Sequence, residues 1–404
     1  MQGKGSQLIE KRCFGVALWF MLVTFVVGVV LRMQFVYPIG GFPFSYVVHA
    51  HSHIGFLGWV FNGFFALAFK LFILEEDRAW FWRLFWVCQV GVLGMLVAFP
   101  IQGYALWSIV FSTLHLVGSI VFVIRLMRRN RAGPVAGLAL KVGCWFLLVS
   151  SVGPFAMGPI MVTDLKDTIW KDLGIYYYLH FQYNGWFVFF LIAAALEQWG
   201  SRVSAVLVGR LGRTLWLLAV GVVLTYAQSA LWLDGMVWIS WVAGIGGVIQ
   251  VYAVIRLLGE FRGLGRLFEN SWAEGLGRCV AALFLLKVLL QVVAVFPGVS
   301  ALGAQHFVVI AFLHLVFLGV VTPMLWAWGL ELGYLRSGAL FKLGVMLFAA
   351  GAVVSELALV YLPLSGFMNW NLLPQMFPVV FYASILILLG GCFVAIGRTL
   401  WGNN

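Results

Sequence analysis

The chain has 404 residues, of which 63% are hydrophobic and 10% charged, with a mean hydropathy of +1.02 and a formal net charge of +11. So little polar surface cannot cover a water-soluble globule, which excludes a soluble enzyme, a secreted disulfide scaffold and a disordered chain. The apolar stretches run unbroken for about 20 residues, where a transmembrane β-barrel would alternate over about ten. The basic residues are scattered between those stretches and form no basic domain, so the charge reports topology and not nucleic acid.

Polar breaks divide the chain into twelve predicted spans, at 13–36, 44–73, 79–100, 105–126, 136–162, 174–197, 214–232, 236–258, 276–297, 306–330, 341–363 and 371–397. The fold class is therefore all-α, a polytopic membrane protein with a single transmembrane domain over 1–404. Assigning the connections alternately to two sides leaves only Arg32, Lys166 and Lys171 on one side, with Lys287 inside the ninth span. All other Lys and Arg fall opposite. By the positive-inside rule both termini face the cytoplasm, as in a multi-pass protein of a bacterial inner membrane. The first apolar run is long and lacks a small-residue cleavage site, so it reads as a start-transfer helix. Cys13, Cys88, Cys144, Cys279 and Cys392 show no CxxC spacing and read as packing residues.

No stretch is polar enough for a soluble domain, so function must lie inside the bundle. The best lead is the set of histidines, His49, His51, His53, His115, His180, His306 and His314, because ligand-forming side chains within lipid tend to face a partner, a cavity or a cofactor. Three share a frame: HIGFLG from His53, HFQYNG from His180 and HLVFLG from His314, each with Gly five residues on. They lie on the second, sixth and tenth spans. This periodicity predicts three four-helix units, about 13–132, 133–258 and 259–404. On an α-helix a five-residue offset is about 140°, which puts His and Gly on different faces.

Twelve helices in three four-helix arcs, with histidines on the second, sixth and tenth, resemble the catalytic subunit I of haem-copper oxidases, nitric oxide reductases included. HAHSHIGFLGW at 49–59 is similar to the second helix of divergent members, and also to the His-rich second helix of the NnrS haem-associated membrane family. The resemblance implies a low-spin b-type haem bound by His53 or His51 on the second helix and completed by His314 on the tenth. It also implies a copper ligand at His180. Two departures stand out. Phe312 occupies the position where the family has a second tenth-helix histidine, and the seventh span reads LTYAQSALW at 224–232, with no histidine pair for copper.

Read by themselves, His53 and His314 sit at matching depths, about three and two to three turns in from the same side, which suits an axial pair of neutral imidazoles. His49 is one turn above His53, and His51 points the other way. His180 lies among Tyr176, Tyr177, Tyr178, Gln182, Tyr183 and Asn184. That patch is either a second haem or copper site, held together with His49 or His51, or a structural polar network. Lys287 and Glu356 are deep charges that suit a proton path or an ion pair. Isolated His115 reads as an interhelical hydrogen bond, and His306 as facing water.

The expected function is a haem-binding inner-membrane protein with a degenerate copper site, active in electron transfer or in reaction with NO or O2. Its expected partners are membrane lipid and a respiratory electron donor or partner subunit. The alternatives are a cofactor-free proton-coupled transporter and a non-catalytic accessory subunit.

Overall fold

The computed structural model describes residues 2–233, 236–371 and 375–398. Among them twelve helices are long and apolar enough to cross a membrane. They are α1 (Leu8–Met33), α2 (Phe44–Leu71), α3 (Glu75–Gln102), α4 (Leu106–Arg128), α5 (Pro134–Met161) and α6 (Ile169–Gln198), followed by α7 (Ala205–Ala230), α8 (Val237–Gly263), α9 (Ser271–Val293), α10 (His306–Glu331), α11 (Ala339–Phe367) and α12 (Met376–Ile396). No strand occurs among the described residues, whose one isolated bridge joins Leu335 to Arg398. All twelve predicted spans are present. The largest shift is at α7, which begins nine residues early because Ser204 Oγ accepts a hydrogen bond from Leu207 N–H at 3.3 Å and caps the helix before the first strongly apolar residues.

The chain divides into two compact units. The first comprises the chain up to Phe122, Asn270–Leu276 and the chain from Val321, and the second comprises Val123–Glu269 and Gly277–Val320.

The first unit packs α1 against α2 and α12, α2 against α3, and α11 against α12. The last pair meets through glycines: a Cβ at Gly344 would stand 2.7 Å from the Gly390 carbonyl oxygen, and one at Gly351 2.6 Å from that of Ala383. Such close backbone approach is how helices associate where lipid gives no hydrophobic drive. Near the start of α1, buried Glu10 accepts from Arg78 at 3.0 Å and from the Tyr334 hydroxyl at 2.8 Å, while Arg78 also donates to the Phe69 carbonyl at 2.9 Å. Every charge is thereby partnered, the condition for keeping an ion pair out of water.

The second unit packs α5 against α6 and α7 against α8. Gly221 and Gly246 admit the facing backbone of α8 and α7 respectively. Glu197, at the end of α6, accepts from Gly133 N–H at 2.8 Å and so ties that end to the start of α5.

Three helices leave α geometry at corresponding places. A π-helical stretch follows His53 at Ile54–Val60, follows His180 at Phe181–Trp186, and follows His314 at Leu315–Val321. The widened turn shows in the bonds that close two of them, Phe61 N–H to the Phe56 carbonyl and Phe187 N–H to the Gln182 carbonyl. On α2 and α6 the His and Gly of the frame face different neighbours, as their offset predicts: His53 lies against Phe99 of α3 and Gly58 against Phe20 of α1, while His180 bonds Val222 of α7 and Gly185 lies against Phe146 of α5. Each glycine also receives a bulky side chain from the helix before it. A Cβ at Gly58 would meet Phe20 of α1 at 2.7 Å, one at Gly185 would meet Phe146 of α5 at 2.5 Å, and one at Gly319 would meet Leu283 of α9 at 3.2 Å.

Candidate functional site

In the first unit, the helical repeat of α2 sends its three histidines to two sides. His53 Nδ1–H donates to the His49 carbonyl one turn earlier at 2.8 Å, and its Nε2 accepts from the Tyr104 hydroxyl at 3.3 Å. Its ring packs 4.6 Å from Phe99 of α3. His49 lies on the same side, with its ring 4.6 Å from Tyr104. His51 points away from both and toward α1, where Nδ1–H donates to the Thr24 carbonyl at 3.0 Å. That carbonyl is the one Thr24 presents on the face where Gly28, a turn later, makes room: a Cβ there would sit 3.1 Å from His51 Cε1.

The donor chemistry of the α2 histidines fits a haem ligand. A ligating imidazole normally donates its other N–H to a carboxylate or carbonyl, which fixes both tautomer and ring plane. His51 and His53 both have that arrangement, with Nδ1–H donating to the Thr24 and His49 carbonyls respectively, and His53 Nε2 also accepts from the Tyr104 hydroxyl.

Near this site, buried His115 of α4 bonds Ser119 Oγ through Nδ1 at 3.1 Å, and its Nε2 has no hydrogen-bond partner among the described residues. The ring stands edge-on to Phe61 at 5.2 Å, and α3 approaches it at Gly91. The expected interhelical hydrogen bond is absent here, since Ser119 belongs to the same helix.

In the second unit, His180 of α6 is fully engaged. Nε2–H donates to the Val222 carbonyl of α7 at 2.8 Å, and Nδ1 accepts from Asn184 Nδ2 at 3.0 Å. Asn184 Oδ1 in turn accepts from the buried ammonium of Lys287 on α9. Each donor and acceptor in the chain Lys287, Asn184, His180, Val222 has one consistent direction, so the amide orientation is fixed by its neighbours. The same ammonium lies 5.8 Å from the Phe284 ring centroid and 6.0 Å from that of Phe312, contacts within cation–π range.

Around this relay α7 changes form. Its α-helical segment ends at Thr225, and a 3₁₀ turn follows at Tyr226–Ala230. Helix ends release carbonyls from intrahelical bonding, so polar groups gather there. Thr225 Oγ1 accepts from Gln250 of α8 at 2.5 Å, Gln228 donates to the Gln291 carbonyl at 2.6 Å, and Gln291 donates back to Gln228 Oε1 at 2.9 Å. Gln182 donates to Ser150 of α5 at 3.0 Å.

These residues do not fit copper or a second haem. Both ring nitrogens of His180 are committed to protein partners, and Phe312 packs its ring 6.1 Å from Tyr183 at the position where the resemblance implies an axial histidine. Among the described residues no three His, Cys, Asp or Glu side chains gather as metal ligands. The polar patch read from the sequence is a hydrogen-bonded network.

Lys287 and Glu356 fall in different units. Lys287 has Asn184 as its acceptor, and the charge of Glu356 interacts with that of Arg32. His314 belongs to the second unit and is partly buried at the start of its π-helical stretch. His306 opens α10 and is exposed.

Among known proteins, no family model matches the chain, and no curated protein matches it by sequence. Its fold, however, is found among solved structures. The chain superposes on a chain of the cryo-EM structure of a haem-copper terminal oxidase dimer with a TM-score of 0.70, covering 98% of this chain and 84% of that one at 12% identity. At that identity the likeness is one of fold, and the protein is a multi-pass helical membrane protein built on the architecture of a haem-copper oxidase subunit.

Proposed function

We propose that the protein binds a b-type haem through α2 and serves in electron transfer, with His51 as an axial ligand. The observation that carries this reading is the His51 imidazole, held by the Thr24 carbonyl in the tautomer a haem ligand needs and seated against the gap left by Gly28. A haem bound there supplies one-electron redox chemistry. Thr24 and Gly28 orient the imidazole, while His49, His53 and Tyr104 form a separate polar cluster on the other side of α2. The other axial ligand implied by the resemblance is His314, and that assignment rests on the resemblance alone.

Electron transfer is preferred to NO or O2 reduction because the Lys287–Asn184–His180 network supplies hydrogen bonds where a second metal centre would need open ligands. A respiratory donor or partner subunit is then the natural source or sink of the electron. The buried lysine favours one competing reading, a cofactor-free proton-coupled transporter, since a buried ionisable group in a membrane protein often marks a proton route. A reduced-minus-oxidised optical spectrum of the purified protein, with pyridine haemochrome quantification, separates the two. About one haem b per chain and a sharp α-band support the proposal. Protein expressed with ample haem yet free of it supports transport.

A further inference from the structure

A cavity of about 370 Å³ opens on the surface of the first unit, lined by Arg12, Gly15, Val16 and Trp19 of α1, Trp86 of α3, and Arg398 just past the end of α12. Arg398 is the unusual member. Backbone bonds fix its position: its N–H donates to the Ala395 carbonyl at 3.1 Å, and it bridges to Leu335. Its guanidinium lies directly on Gly15, where any Cβ would overlap it. Among the described residues that guanidinium has no ion pair or hydrogen bond, and burial alone pushes its pKa below the ordinary arginine value. A half-buried cation without a counter-charge is costly unless an anion joins it.

The rest of the cavity says what form that anion takes. Trp19 lies seven residues beyond Arg12 on α1, about 10 Å deeper along the helix. Trp19 and Trp86 are each about half exposed, at 48% and 47%, so their rings form an apolar wall continuous with the outer face of the bundle. Guanidiniums at one end and indoles below them match a phosphodiester with acyl chains, not a free ion. We propose that this cavity binds an anionic phospholipid, its phosphate held by Arg398 and Arg12 and its glycerol and first methylenes resting on Val16, Trp19 and Trp86. Gly15 is the position that lets the Arg398 guanidinium reach the phosphate.

The test is native mass spectrometry of the full-length protein in a mild detergent, offered phosphatidylglycerol or phosphatidylcholine of the same chain length. Two arginines near an anionic headgroup predict retention of phosphatidylglycerol over phosphatidylcholine by about tenfold. Arg398→Gln should bring the preference to within about twofold, whereas Arg398→Lys should keep a measurable part of it. Gly15→Leu leaves the charge unchanged and fills the space under the guanidinium, so it should weaken retention as Arg398→Gln does. Equal retention of the two lipids by the wild-type protein, or full preference in both Arg398→Gln and Gly15→Leu, would overturn the proposal. So would displacement of the lipid by millimolar inorganic phosphate, which would mark a free-anion site.

Discussion

The two histidine regions begin from the same local design and surround it with different partners. In each, a histidine precedes a π-helical stretch whose glycine accepts a bulky side chain from the preceding helix. On α6 the imidazole is closed at both nitrogens by Val222 and by Asn184, which Lys287 holds in place. On α2 the neighbouring imidazole of His51 is anchored through Nδ1 to the Thr24 carbonyl of α1. The frame places a histidine, and the partners around it differ from one helix to the next. A motif shared by three helices is thus evidence about architecture more than about chemistry.

That contrast can be broken most forcefully at Asn184. Asn184→Ala would leave the Lys287 ammonium and His180 Nδ1 without their shared partner in a dry interior. The expected loss is on the order of 3 kcal/mol of stability, read as a lower unfolding temperature in detergent. Unchanged thermal stability would show that the relay carries no weight. Next come the glycines. Gly185→Ala and Gly58→Ala each drive a Cβ into a phenylalanine ring and should cost about 1–3 kcal/mol. Gly319→Ala meets only Leu283 at 3.2 Å and should cost less. Equal tolerance at all three would remove close packing as the reason for the frame.

His180→Ala should lower stability while leaving haem content at the wild-type level, because the network it breaks contains no residue of α2. Loss of haem in that variant would return His180 to a ligand role. The smallest effect belongs to Tyr104→Phe. Its hydroxyl bond to His53 is long at 3.3 Å and its ring is exposed, so stability should change by less than about 0.5 kcal/mol and haem content not at all.

The spans were legible because hydropathy is a local property: the predicted run at 44–73 became Phe44–Leu71, and 306–330 became His306–Glu331. The frame at His53, His180 and His314 was legible too, but the π-helical turns that follow those histidines were not. What the sequence could not show was tertiary. Nothing local tells that Lys287 turns to Asn184 a hundred residues away, that Arg32 lies near Glu356, or that Gly15 lies under Arg398. The surroundings of His51 and His53 were hidden for the same reason. Depth along α2 is similar for both, and only the neighbours, Thr24 and Gly28 on one side and Phe99 and Tyr104 on the other, distinguish them.

The central claim is that α2 carries the haem through His51. It is tested most directly by haem content in two single variants purified side by side, His51→Ala and His53→Ala, each checked for an intact fold by its thermal transition. The account predicts that His51→Ala loses nearly all haem b while His53→Ala keeps most of it with an unchanged α-band. The reverse pattern, or full retention in His51→Ala, would contradict it.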